Sequence, residues 1–276
     1  MSCNPDGLRM LMFTAIFTIS NLTNALDITK SKREDLSPQR LQRLEQGMHS
    51  LVDNKKLAGT VTLLAHHGKV VHLDAYGQQD LAKNTAMKPD SIFRIFSMTK
   101  PITAVAMMML YEEGKWLPSD PIEKYIPEFK NVMVYAGKNS DGSLLLEKPA
   151  HIPTMGELMT HTAGFGLGFS NTPVSELYKK ADLLNATDLK DFIKRVANLP
   201  LEYQPGTQWQ YSISSDIQGY LVERLSGVPF DQFLQERIFK PLDMKDTFFS
   251  IPEEKRTRLA ITYLPDQKDE LQPMWD

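Results

Sequence analysis

Hydrophobic and polar positions change rhythm several times along this chain, and each change predicts a different element. Leu41, Leu44, Met48 and Leu51 recur at helical spacing, with Gly47 the one poor helix former among them, which predicts an amphipathic helix. Gly59 to Ala65 and Val70 to Tyr76 are then rich in strand-forming residues. His66-His67-Gly68-Lys69 between them has the length and glycine of a hairpin turn, so the two runs should pair as antiparallel strands. A two-stranded ribbon cannot bury a sheet face by itself, and the sheet must be completed from elsewhere.

A long apolar segment follows, Pro101 to Leu110, ending at Glu112-Glu113-Gly114 with glycine where a C-terminal cap belongs. It predicts a buried helix that begins around Ser97. Pro101 fits the first turn, where its missing N–H is one of the orphan donors. From Asp120 to Leu242 the pattern is helix and loop, with helices over 121–125, 155–159, 188–197, 214–225 and 229–239 and no strand hairpin between them. After Met244 only Thr247 to Ser250 and Leu259 to Tyr263 offer weak strands.

The start of the chain has a different character. Arg9 precedes a mostly apolar run from Met10 to Leu22, and Thr23-Asn24-Ala25 places small residues at the cleavage-determining positions. Residues 1–25 therefore read as an export signal cut after Ala25, which predicts a periplasmic or secreted protein. The run is shorter than the roughly 20 apolar residues of a spanning helix, so no stable membrane span is expected in the mature chain. The only cysteine, Cys3, precedes the apolar run, which leaves disulfides and thiol catalysis out of the mature protein.

Composition narrows the partners. The 276 residues are 42% hydrophobic and 24% charged, ordinary for a globular protein, and the net charge of -3 supplies no basic field for nucleic acid. The expected partner is a small-molecule ester or amide substrate. The residues carry no mark of oligomeric state.

Ser97 and Lys100 form an S-x-x-K pair, and at that spacing on a helix the two side chains lie on one face. A serine hydroxyl is a poor nucleophile until a base accepts its proton. Lysine serves only if burial or neighbouring charge lowers its pKa from about 10.4. The apolar helix after Lys100 is expected to bury it, and the helix N-terminus favours the oxyanion formed when a carbonyl is attacked. The plainer alternative is that Ser97 only caps the helix.

A longer stretch decides between them. Phe93 to Ala106 closely resembles the nucleophile segment of serine β-lactamase-related proteins, especially class C enzymes and the related carboxylesterases. The resemblance continues through Asp120 to Pro127, Leu158 to Gly164, Gln204 to Ser212, Asp216 to Glu223 and Phe233 to Thr247. It implies an α+β fold of the α/β sandwich type, the β-lactamase/DD-peptidase arrangement of an antiparallel sheet with flanking helices and a helical subdomain. By the same resemblance Tyr211 matches the tyrosine of the family's Y-x-N motif and shuttles protons with Lys100.

Two departures qualify this likeness. Ile213 stands where that motif has asparagine, and with no donor or acceptor it favours ester over β-lactam chemistry. Nothing after Tyr211 fits the family's third motif, Lys-Thr-Gly or His-x-Gly on a late strand, so residues 26–276 are expected to form one hydrolase domain that lacks its C-terminal strands.

Other candidates receive smaller roles. His161 is expected to make a structural hydrogen bond, and His49, His66, His67, His72 and His151 show no zinc-binding spacing or matching carboxylate set. No metal or cofactor is predicted. There is no G-x-S-x-G and no phosphate loop. Of Trp209, Phe165 and Phe169 near the expected cleft, Trp209 is taken as substrate-binding. Met107 to Met109 are core residues. The expected activity is a serine hydrolase that forms an acyl-enzyme on Ser97, acting on small carboxylic esters or on β-lactam or D-amino-acid peptide-like substrates. The alternative is a non-catalytic penicillin-binding or sensor-like module, or an inactive truncated homologue.

Overall fold

The computed structural model describes residues 36–274, so the export segment, its cleavage site and Cys3 lie outside the described residues. Two compact units result: 36–91 together with 258–274, and 92–257.

In the first unit α1 (Pro38–Asp53) packs on a hairpin of β1 (Gly59–His66) and β2 (Lys69–Asp80). The short β3 (Thr85–Ala86) extends this to an antiparallel sheet in the order β1-β2-β3. His67 and Gly68, with φ of 47° and 73°, close the hairpin in the left-handed conformation whose twist suits paired strands. The helix is covered less than its periodicity predicts. Leu41 is buried, Leu44 and Met48 are half-buried, and Leu51 is exposed. A final hairpin joins β6 (Tyr263–Pro265) and β7 (Leu271–Pro273). The strand expected over 259–263 therefore starts only at its last residue, while the main chain before it is tied to β2 through Ile261 N–H and the Gln79 carbonyl at 2.9 Å.

The second unit is built on α2 (Thr99–Glu112) packed against α6 (Ser214–Ser226). Thr103, Ala106, Met107 and Leu110 enter the same core as Ile217, Leu221 and Val222. The expectation of a helix buried all round is corrected here, because Val105 and Met108 stay exposed. Residues three and four apart share one face, so packing against α6 covers one stripe and leaves the intervening positions outside. Gly114 (φ 70°) caps the helix as expected, with its N–H bonded to the Tyr111 carbonyl at 2.8 Å and Lys115 N–H to Leu110 at 2.9 Å.

Shorter helices complete this unit. They are α3 (Met155–Met159), α4 (Pro173–Lys180), α5 (Leu189–Val196) and α7 (Phe230–Leu234), the last continuing as a π-helical turn over Gln235–Phe239. Thr154 and Glu157 form a reciprocal capping box on α3, and Thr172 and Asp188 cap α4 and α5 through their side chains. The helix expected over 121–125 is a single 3-10 turn, Ile122–Lys124.

A hairpin does interrupt the helical region, contrary to expectation. It pairs β4 (Val134–Lys138) with β5 (Leu144–Glu147). Its turn is held by the Asp141 carboxylate, which accepts the Ser143 N–H at 2.9 Å and hydroxyl at 2.6 Å. Asp141-Gly142 is the turn signal that marks it. Thr247 to Ser250 forms no strand.

Candidate active site

Phe96 to Met98 form one 3-10 turn that runs directly into α2. Phe96 holds a φ of 42°, a conformation costly for a bulky side chain, immediately before Ser97. Ser97 is exposed, and Lys100 donates to its Oγ from 3.2 Å. The expected burial of Lys100 is corrected: it is only half-buried, because the covered stretch of α2 begins at Thr103.

Tyr211 reaches the same point from an irregular loop ahead of α6. Its hydroxyl lies 2.5 Å from Ser97 Oγ, and Lys100 Nζ is 4.6 Å from its ring centroid. Hydrogen bonding from Lys100, then from Ser97, holds the phenol below the ordinary tyrosine range, against upward pushes from burial and from the Asp216 charge. The fold thus brings together Ser97, Lys100 and Tyr211 as one hydrogen-bonded cluster.

A cavity of about 690 Å³ opens beside Ser97 and Lys100, with Phe96, Leu184, Phe230 and Phe249 supplying apolar wall and Asp216 a carboxyl. Asp216 remains open to solvent as a residue, yet the cavity walls displace water around its carboxyl and raise it above the ordinary range, while Lys100 pulls it down. Trp209 does not line this cavity. It is 65% exposed, with its ring 6.3 Å from that of His161. Ile213 is buried in the hydrophobic core.

Two residues of this region had no assigned part in the chemistry. Asp216 carried no spacing signal, being the first of two acidic positions in a helical pattern. His161 makes the expected structural hydrogen bond, but to Ser212, the residue after Tyr211, and its ring lies on that of Tyr211. No local pattern connects positions so far apart.

In the first unit folding supplies a carboxylate set for one histidine. Ligand atoms of Glu45, His49 and Asp74 lie within 4.8 Å of one another. His49 Nε2 is already engaged by Asp74 at 2.8 Å, and the ring stacks on Tyr76. Among the described residues, no helix is long and apolar enough to cross a membrane.

The chain belongs to the beta-lactamase family. The family's sequence model matches residues 42–276. Among curated members, Protein Rv1367c of Mycobacterium tuberculosis is 34% identical over 229 residues, which cover 82% of this chain and 56% of that protein. Esterase EstB of Burkholderia gladioli is 31% identical over 232 residues, covering 82% of this chain and 55% of the other. The chain spans about half the length of the curated relatives it matches.

Solved structures resemble this fold. EstCE1, described as a hydrolase with promiscuous acyltransferase activity, superposes with a TM-score of 0.71 at 27% identity, over 86% of this chain and 60% of its own. Unliganded simvastatin synthase LovD of Aspergillus terreus gives 0.74 at 23% identity, over 86% and 62%, a likeness of fold alone. The chain therefore has the mixed α+β fold of this family, whose relatives include esterases and acyltransferases.

Proposed function

We propose that the chain is a serine acyl hydrolase with Ser97 as nucleophile, acting on small carboxylic esters first and on β-lactam or D-amino-acid peptide-like substrates second. The observation that carries this reading is the contact of Ser97 Oγ with both Lys100 Nζ and the Tyr211 hydroxyl. Ser97 Oγ forms a bond to the substrate carbonyl carbon as its proton passes to the Tyr211 oxygen, whose ionisation Lys100 favours. The positive end of α2 favours the negative carbonyl oxygen of the tetrahedral intermediate. When that intermediate collapses, the ester C–O bond breaks and the departing alcohol takes the proton. Water then adds to the acyl carbon, gives a proton back toward Ser97, and releases the acid.

An alcohol in place of water makes the same acyl-enzyme an acyl donor, in keeping with the activity stated for EstCE1. The apolar wall of the cavity suits a short acyl chain, and the buried Ile213 offers no group to hold a substrate amide, which supports esters over β-lactams. Trp209, exposed beside the His161 ring, is proposed as a substrate contact on the tyrosine side of the site.

Hydrolysis of p-nitrophenyl butyrate by the full chain beside Ser97→Ala, with circular dichroism on both, tests the proposal. Turnover that the variant loses supports it. A folded wild type that neither turns over nor becomes acylated would sink it, and a lasting covalent adduct by mass spectrometry would favour the sensor-like module instead. Export to the periplasm or medium is part of the proposal, resting on Arg9 and the apolar run to Leu22. A mature protein beginning at Leu26 is the expected result of N-terminal sequencing, and an uncut cytoplasmic product the contrary one.

A further inference from the structure

The ring of Tyr211 is held by a residue outside the proposed proton path. His161 follows α3 with a left-handed backbone, φ 59°, and from there contacts the tyrosine and both of its neighbours, its Nδ1 also lying 3.2 Å from Ser212 Oγ. Its carbonyl oxygen accepts the Gln210 N–H at 2.9 Å. Its Nδ1 accepts the Ser212 N–H at 3.2 Å. Its ring stacks on that of Tyr211, with centroids 5.5 Å apart and planes 9° from parallel. One residue therefore binds the backbone on both sides of Tyr211 and covers the ring between them.

The neighbours are anchored further out as well. The Gln210 amide donates to the buried Glu202 at 2.9 Å. Ser212 Oγ lies 2.8 Å from Ser214 Oγ, which links the loop to the first residue of α6. Removing His161 breaks the connection that these outer contacts cannot replace, since neither reaches the ring.

A backbone N–H can only donate, so Nδ1 must present its lone pair and the ring proton belongs on Nε2. The surroundings favour this neutral form, because burial, and then the charge of Lys100, hold the imidazole below the ordinary histidine range. The titratable groups that face it are Lys100 from α2 and Tyr211 from its loop. Protonation removes the acceptor for Ser212 and sets a second positive charge near Lys100.

We infer that His161 is a positioning residue for the reaction, a neutral acceptor and stacking partner that keeps the Tyr211 phenol against Ser97 and Lys100. This rests on the proposed role of Tyr211 as proton carrier.

Two variants test it. His161→Gly accepts the left-handed backbone but has neither ring nor acceptor, whereas His161→Asn tolerates that backbone and returns an acceptor oxygen near the place of Nδ1. With p-nitrophenyl butyrate, kcat is expected to fall about a hundredfold in the glycine variant with KM little changed, and the asparagine variant to recover about tenfold of that loss. The asparagine variant should also lose the additional fall in kcat below the ordinary histidine range, since it has no proton to gain there, while keeping the limb set by Tyr211.

A second readout needs no turnover. The Tyr211 ionisation, isolated by ultraviolet titration as wild type minus Tyr211→Phe, should move to higher pH in His161→Gly and stay near wild type in His161→Asn. Wild-type kcat and a wild-type Tyr211 titration in a folded His161→Gly would overturn the inference. If the glycine variant does not fold, the asparagine variant decides, and an unaltered fall in kcat below the ordinary histidine range in it counts against His161. If the wild type shows no turnover dependent on Ser97, the hydrolase reading falls, while the Tyr211 titration still decides the role of His161.

Discussion

The nucleophile side and the tyrosine side of the site are held in opposite ways. Ser97 and Lys100 sit three residues apart at the start of one helix, so their contact follows from helical geometry and from whatever keeps α2 in place. Tyr211 sits in a loop 114 positions further on, and contacts with His161, Gln210 and Glu202 fix it there. The first side depends on a well-buried core, the second on a few hydrogen bonds and one stacked ring. Function at the second side is therefore the easier to disturb from a distance.

The largest expected effect lies on the nucleophile side. Ser97→Ala should lower kcat/KM for p-nitrophenyl butyrate by about 10⁴-fold or more without loss of structure, and a variant that retained most of the rate would remove Ser97 from the chemistry. On the other side, Tyr211→Phe should cost about 10²–10⁴ in kcat. Because Lys100 and Ser97 lower the Tyr211 pKa, the wild-type rate should rise with pH along a limb that lies below the ordinary tyrosine range. Lys100→Ala should move that limb upward, and an unmoved limb would show that Lys100 does not govern the phenol.

Smaller effects separate the two supports. Leu110→Ala empties a buried site beneath the nucleophile helix and should cost about 2–5 kcal/mol in urea unfolding. Thr154→Ala removes the cap of α3, the helix that leads to His161, and should cost about 1 kcal/mol. If the weaker stability change nevertheless lowers kcat more than Leu110→Ala does, the tyrosine side is the fragile one, as its few contacts suggest.

Short-range features of the fold were legible beforehand. The turn at His67-Gly68, the cap at Gly114 and the helix that Ser97 opens all follow from residues within a few positions of one another. The β4–β5 hairpin was not, because Val134 to Glu147 has no clear alternation and only Asp141-Gly142 marks its turn. Exposure of Val105 and Met108 was hidden for another reason: an apolar helix does not record which of its faces will meet α6. Within the site, Ser97 and Lys100 could be paired by spacing, Tyr211 entered through family resemblance alone, and His161 left no trace of its bond to the tyrosine loop.

By itself the sequence determined the family, the run of the main helices and the pairing of Ser97 with Lys100, since motifs, caps and helical spacing act over a few residues. Only the tertiary structure decided that Tyr211 meets that pair at 2.5 Å, that Lys100 stays half-buried, and that His161 clasps the tyrosine loop. Those contacts join distant parts of the chain, and their geometry is set by how α2, α3 and α6 pack around a shared core rather than by any local pattern.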